Sequence, residues 1–109
     1  MTVNESLSHI ISSLELFRTR IGMYVANADD VDDVKAYITG FTNACGTLGF
    51  GYDSDITCTV LHENGWEAYA NGPVGQMRSS GLTERQIVQE IVNLEIAKWR
   101  RLLAEKTQY

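Results

Sequence analysis

The sequence predicts a mainly α, single-domain protein: a small bundle of three main helices at about 2–20, 30–48 and 83–106. Three observations predict it. Apolar residues recur at helical intervals over three long stretches, and two of those stretches open on a Thr-x-x-(Glu/Gln) capping box. Alternating β-branched character is confined to one segment, residues 54–71. A chain of 109 residues can bury its own core without disulfide or metal staples, so residues 1–109 are expected to form one domain.

In the first helix, Thr2 and Glu5 have capping-box spacing, in which each side chain satisfies the other residue's backbone N–H. Leu7, Ile10, Ile11, Leu14 and Phe17 form one stripe, with Ser8, Ser12, Ser13 and Glu15 off it. Arg18, four residues after Leu14, falls on the apolar side, and Arg20 points away. The stretch 14–25 combines this arginine pair with Gly22, which permits φ > 0, and the apolar Met23-Tyr24-Val25. That is the chemistry of a helix terminus locked against a neighbour.

Residues 26–30 are a polar connection, and the second helix should run from about Asp30 to Leu48. Its acidic start suits the positive end of a helix dipole. Val31, Val34, Tyr37, Ile38, Phe41, Cys45 and Leu48 keep the helical period, with Gly40 on the opposite face. Gly46, Gly49 and Gly51 end the helix, and their spacing is not that of a phosphate-binding loop.

Residues 54–71 support two readings. Ile56 to Val60 alternates, and Asn64-Gly65 is a hairpin turn signal with Trp66 to Tyr69 returning. Alternatively Ser54 or Asp55 caps a short helix that ends at Gly65. The short helix is preferred, because a lone hairpin is marginal. Gly72-Pro73 then breaks the chain, and Val74 to Ser80 suits a turn of helix carrying Met77.

Thr83 and Gln86 form the second capping box. The apolar arc that follows (Ile87, Val88, Ile91, Val92, Leu94, Ile96, Trp99, Leu102, Leu103) is wide enough for the central helix of a core. Glu95 falls near the middle of this arc. An unpaired buried carboxylate costs several kcal/mol, so a partner is required. Arg18 holds the matching place on the first helix, and a structural ion pair Arg18–Glu95 is predicted.

Charge is distributed unevenly. The chain carries −5, but residues 26–77 hold eight acids (Asp29, Asp30, Asp32, Asp33, Asp53, Asp55, Glu63, Glu67) against Lys35 alone, for −7. Such a region argues against a nucleic-acid partner and permits attraction to a basic protein, the plain alternative being a solubilising face. The aromatics Tyr52, Trp66 and Tyr69, lying in less regular segments, are the expected interface anchors, and Tyr37 is expected in the core. Neither His9 nor His62 has a local companion for catalysis, and the aspartates at 29–33 lack the terminal Glu of a calcium loop. Cys45 and Cys58 have no zinc-ligand spacing and read as reduced small residues. No enzyme activity, cofactor or metal is expected. No stretch has the length of a membrane helix and the N-terminus lacks signal-peptide character, so no membrane association and a cytoplasmic location are expected.

The segment Arg18-Thr19-Arg20-Ile21-Gly22-Met23-Tyr24 resembles the Arg-Pro-Gly-Met-Tyr element of the ATP-binding region in type II topoisomerase B subunits. Here Ile21 stands in place of the proline and Ala26 in place of the following glycine, and the nucleotide loops have no counterpart. That likeness stays within residues 14–25 and implies no activity. Residues 14–43 as a whole resemble small bacterial immunity proteins encoded beside polymorphic or contact-dependent toxins. In these a short helix, an Arg-x-x-Met-Tyr element and a helix of the Asp-Val-Lys-Ala-Tyr-Ile-Thr-Gly-Phe type follow in order. The resemblance implies an immunity or antitoxin-like protein, without catalysis, that neutralises a cognate toxin domain. The toxin would be basic, a nuclease for example, met by the acidic residues with Tyr52, Trp66 and Tyr69 as anchors. The alternative is a small helical ligand-binding or regulatory domain, with a cavity between the first and last helices lined by Phe17, Met23 and Trp99. A further alternative is a homodimer formed through the aromatic surface.

Overall fold

The structure, a computed structural model, describes residues 2–68 and 72–107. Five helices follow in order: α1 Val3–Thr19, α2 Val31–Thr47, α3 Ser54–Glu63, α4 Val74–Ser79 and α5 Glu84–Thr107. A 3₁₀ turn, Ile21–Met23, lies between α1 and α2, and there is no strand among the described residues. The chain is therefore mainly helical, but it is not a simple three-helix bundle. The other four helices each pack on α5. The pair Glu15–Arg100, with Arg18 on Asn93, runs α1 antiparallel to α5, and Glu63–Arg101 ties the end of α3 to α5. Asp29–Arg85 near its start and Thr42–Glu95 further along run α2 in the same direction as α5.

Local sequence explains the starts. Glu5 N–H donates to Thr2 Oγ1 at 3.1 Å, and Thr2 Oγ1 donates to Glu5 Oε1 at 3.1 Å. Thr83 and Gln86 close the reciprocal box before α5 at 2.8 and 3.2 Å. Asp30 caps α2 by accepting from Asp33 N–H. The cap of α3 is Asp53, accepting from Ile56 N–H at 2.9 Å, rather than Ser54 or Asp55.

The ends decide the ambiguous segment in favour of a helix. Gly65 adopts φ +84°, its N–H donates to the His62 carbonyl, and Trp66 N–H reaches back to the Leu61 carbonyl. This is a Schellman C-cap, and it converts Asn64-Gly65 from a hairpin turn into a helix stop. The pattern recurs at Gly49-Phe50 after α2 and at Gly81-Leu82 after α4. Phe50, Trp66 and Leu82, each the apolar residue following its glycine, pack against the core.

One core draws on every helix: Leu7, Ile11, Leu14 and Phe17 from α1, Val34 and Ile38 from α2, Val60 from α3, Met77 from α4, and Ile87, Val92 and Trp99 from α5. Trp99 and Phe17 are the largest fully buried side chains. Leu48, expected to continue the α2 stripe, instead caps that helix and stands 76% exposed. Its place beyond the last helical residue removes it from the stripe.

Candidate functional site

The segment between α1 and α2 forms a hydrogen-bonded corner. α1 ends at Thr19, and the chain tightens into the 3₁₀ turn with Ile21 buried beneath it. Met23 N–H donates to the Arg20 carbonyl, and Val25 N–H to that of Ile21. The ring of Tyr24 meets Phe17 edge-on at 5.5 Å, and Phe17 stacks on Tyr37 of α2 at 4.2 Å. Burial, with Tyr24 beside it, pushes the Tyr37 hydroxyl above its ordinary pKa. This aromatic trio locks the corner and leaves Met23 outside it: Met23 is 74% exposed and Tyr24 42%. Gly22 is not among the positive-φ glycines, and a Cβ added there meets Ala28 Cβ at an ordinary 3.9 Å. Its backbone freedom is therefore not what shapes the turn.

Asp29, Asp30, Asp32 and Asp33 begin α2 beside this corner. Asp29 lies 3.6 Å from Arg85, and Arg78 forms a two-pronged pair with Glu84 at 2.9 and 3.2 Å. The Arg78 hydrogen bond holds Glu84 below the usual carboxylate range. Asp32 and Asp33 form no ion pair among the described residues. Asp53 and Asp55 are elsewhere. Asp53 shares a groove with Val3, Leu7, Leu102 and Lys106, at the far end of α5 from Arg85. At 1.5 Å per residue, 24 residues of α5 separate these ends by about 36 Å. The acids that are close in sequence thus form two separate groups, and Arg85 of α5 offsets Asp29 in the first.

The third feature is a polar network inside the bundle. Glu95 is 4% exposed, as its place in the apolar arc predicted. Its partner is not Arg18, which corrects the predicted ion pair. Arg18 Nη1 donates to Asn93 Oδ1 at 3.0 Å in an exposed contact. The carboxylate of Glu95 accepts instead from the Tyr52 hydroxyl, 2.8 and 2.9 Å from its two oxygens, from Trp99 Nε1–H at 2.9 Å, and from Thr42 Oγ1 at 3.2 Å. Lys98 Nζ lies 3.8 Å from Oε1 and 5.4 Å from the centroid of the Tyr52 ring. Tyr52 meets Trp99 edge-on at 5.3 Å. Burial first, then the charge of Glu95 and the hydrogen bond to it, push the Tyr52 hydroxyl well above its ordinary pKa. Burial and Glu95 likewise raise the Cys45 thiol.

Beside this network a cavity of 260 Å³ opens between α2 and α5. It is not the cavity expected from sequence. Phe17 and Trp99 are closed in the core and Met23 faces out, so no space between α1 and α5 is shared by the three.

Two of the expected anchors are partly buried and engaged within the fold. Tyr52 is committed to Glu95, and Trp66 to the cap of α3, where its indole N–H is buried without a partner among the described residues. Tyr69 lies outside the described residues. Among the described residues the exposed large apolar side chains are Val3, Leu16, Met23, Tyr24 and Leu48, of which Met23 and Tyr24 are adjacent on one turn. The Gly-Φ pairs 49–50, 65–66 and 81–82 were the sequence signal that assigns Phe50, Trp66 and Leu82 to helix caps. Among the described residues no three His, Cys, Asp or Glu side chains gather as a metal site requires, and no helix is long and apolar enough to cross a membrane. No family model, curated protein or solved structure matches the chain.

Proposed function

We propose that the chain is a partner-binding protein of the immunity or antitoxin type, acting in the cytoplasm without catalysis of its own. It neutralises a basic toxin domain by covering it with the α1–α2 corner. The observation that carries this reading is Met23, 74% exposed on a turn braced by Phe17, Tyr24 and Tyr37. A thioether is adaptable, and an aromatic neighbour held in place loses little entropy on contact; together they suit an interface centre. Asp32 and Asp33 supply a charged rim that speeds encounter with a basic surface and contributes less to final affinity. The same corner carries the Arg-x-x-Met-Tyr element of the immunity-protein resemblance. Relative to the sequence-based expectation, the anchors become Met23 and Tyr24 in place of Tyr52 and Trp66.

The test is co-expression with the product of the neighbouring gene. The reading expects that product to be toxic alone, harmless beside this protein, and recovered in complex with it. A product that is harmless by itself, or that fails to co-purify, refutes the reading.

A further inference from the structure

The cavity between α2 and α5 holds binding capacity that the corner does not use. Its 260 Å³ fall below the ~300–1,000 Å³ of sites for drug-sized ligands, so its occupant is small. Ile38, Leu61 and Leu94 give it an apolar wall. At its polar end the Lys98 side chain is only 16% exposed. Lys98 Nζ is 3.8 Å from Glu95 Oε1, close enough for an ion pair and too far for a hydrogen bond. Its three N–H donors have no acceptor within hydrogen-bond distance among the described residues. Glu95 is already engaged by Tyr52, Thr42 and Trp99. Lys98 Nζ is not enclosed by protein atoms, so it stands open to an incoming group, and an ionised acceptor would form the strongest class of hydrogen bond with it. The lining also has an unbalanced charge: Lys35 and Lys98 face one carboxylate, Glu95, for a sum of +1.

We propose that this cavity binds a small monocarboxylate with an apolar tail. Its carboxylate accepts from Lys98 Nζ and brings the lining to neutrality, and its tail lies along Ile38 and Leu94. An ammonium ligand of the same shape would raise the charge of the lining to +2 and would be repelled by Lys35 and Lys98. The inference is independent of the partner-binding reading, because the cavity and the corner use different residues and the test needs no partner protein.

The experiment titrates hexanoate, hexan-1-ol and hexylamine into the purified chain, following thermal midpoint and heat of binding. Hexanoate is expected to bind saturably and raise the midpoint, with the alcohol and amine at least about ten-fold weaker, the value of one charge-assisted hydrogen bond. In Lys98→Met, which keeps the stem and loses the ammonium, hexanoate binding should fall by about ten-fold or more, and Lys98→Arg should retain part of it. No saturable hexanoate binding, equal binding of alcohol or amine, or unchanged binding in Lys98→Met each overturns the proposal. The headgroup comparison uses the unmodified chain, so it decides the matter even where a variant does not fold.

Discussion

Replacing Glu95 by leucine tests whether the buried network holds α2 and α5 together. The substitution removes the common acceptor and leaves its donors behind. Trp99 Nε1–H is fully enclosed and has no other partner among the described residues, so stranding it costs about 1–3 kcal/mol. The Tyr52 hydroxyl loses both short contacts at about 1 kcal/mol more, and Thr42, at 3.2 Å, loses about 0.5 kcal/mol. Because the partners remain, the result should resemble breaking a buried polar pair, about 3–5 kcal/mol, and not its replacement by matched apolar groups. That is a large share of the roughly 5–15 kcal/mol that stabilises a domain of this size. Urea unfolding followed by circular dichroism should show the midpoint falling by roughly 1–5 M at unchanged slope. Adding Tyr52→Phe and Thr42→Val to Glu95→Leu should restore about 1–2 kcal/mol by removing two stranded donors. Arg18→Met, which breaks only an exposed contact to Asn93, should cost less than about 1 kcal/mol. If Glu95→Leu does not fold, Tyr52→Phe alone should still cost about 1 kcal/mol. A Glu95→Leu protein within about 0.5 kcal/mol of wild type would refute the reasoning, since substitutions that break no such feature fall in that range.

Other outcomes follow from the same structure. The raised Tyr52 hydroxyl stays protonated in the fold while its unfolded counterpart ionises near pH 10.0, so its contribution is intact below that pH and is lost as pH rises above it; an alkaline titration should show Tyr52 ionising only as the chain unfolds, and Tyr52→Phe should flatten the alkaline decline. Cys58 is exposed and Cys45 buried with a raised pKa, so thiol alkylation read by mass spectrometry should modify Cys58 first and Cys45 only under denaturant. Gly65→Ala should cost about 1–2 kcal/mol because φ +84° strains any Cβ, while Gly22→Ala should lie within about 0.5 kcal/mol of wild type in thermal unfolding.

The parts of this fold that were legible in the sequence are those written in local periodicity. The stripes of α1 and α2, the arc of α5 and both capping boxes depend on neighbours three or four residues apart, and they stand in the structure as read, apart from Leu48 and from Glu5, whose side chain accepts from the Thr2 hydroxyl and not from the Thr2 N–H. Burial of Glu95 was legible for the same reason. Its partners were not: Tyr52 and Thr42 lie 43 and 53 residues away, and periodicity gives the direction a side chain faces without saying what arrives there. Asn64-Gly65 failed as a turn signal because a left-handed glycine serves a hairpin and a Schellman cap equally well. The apolar residue that follows it distinguishes the two only once the preceding helix is known. Charge was misleading at longer range. The eight acids of residues 26–77 are contiguous in composition, yet α5 carries Arg85 to Asp29 and Arg101 to Glu63, dispersing them over the surface. The exposure of Met23 was hidden for a simpler reason: nothing in its identity separates a core methionine from one the aromatic stack leaves outside.

The most direct measurement is the affinity of this protein for the domain encoded by the neighbouring gene, compared with that of the Met23→Ala, Tyr24→Ala and Lys98→Met variants. With the corner as interface centre, Met23→Ala and Tyr24→Ala should each weaken binding by about ten-fold or more, chiefly through faster dissociation. Lys98→Met, on the cavity between α2 and α5, should bind as wild type does. Unchanged affinity in both corner variants, with a complex still forming, would place the interface elsewhere and contradict the account.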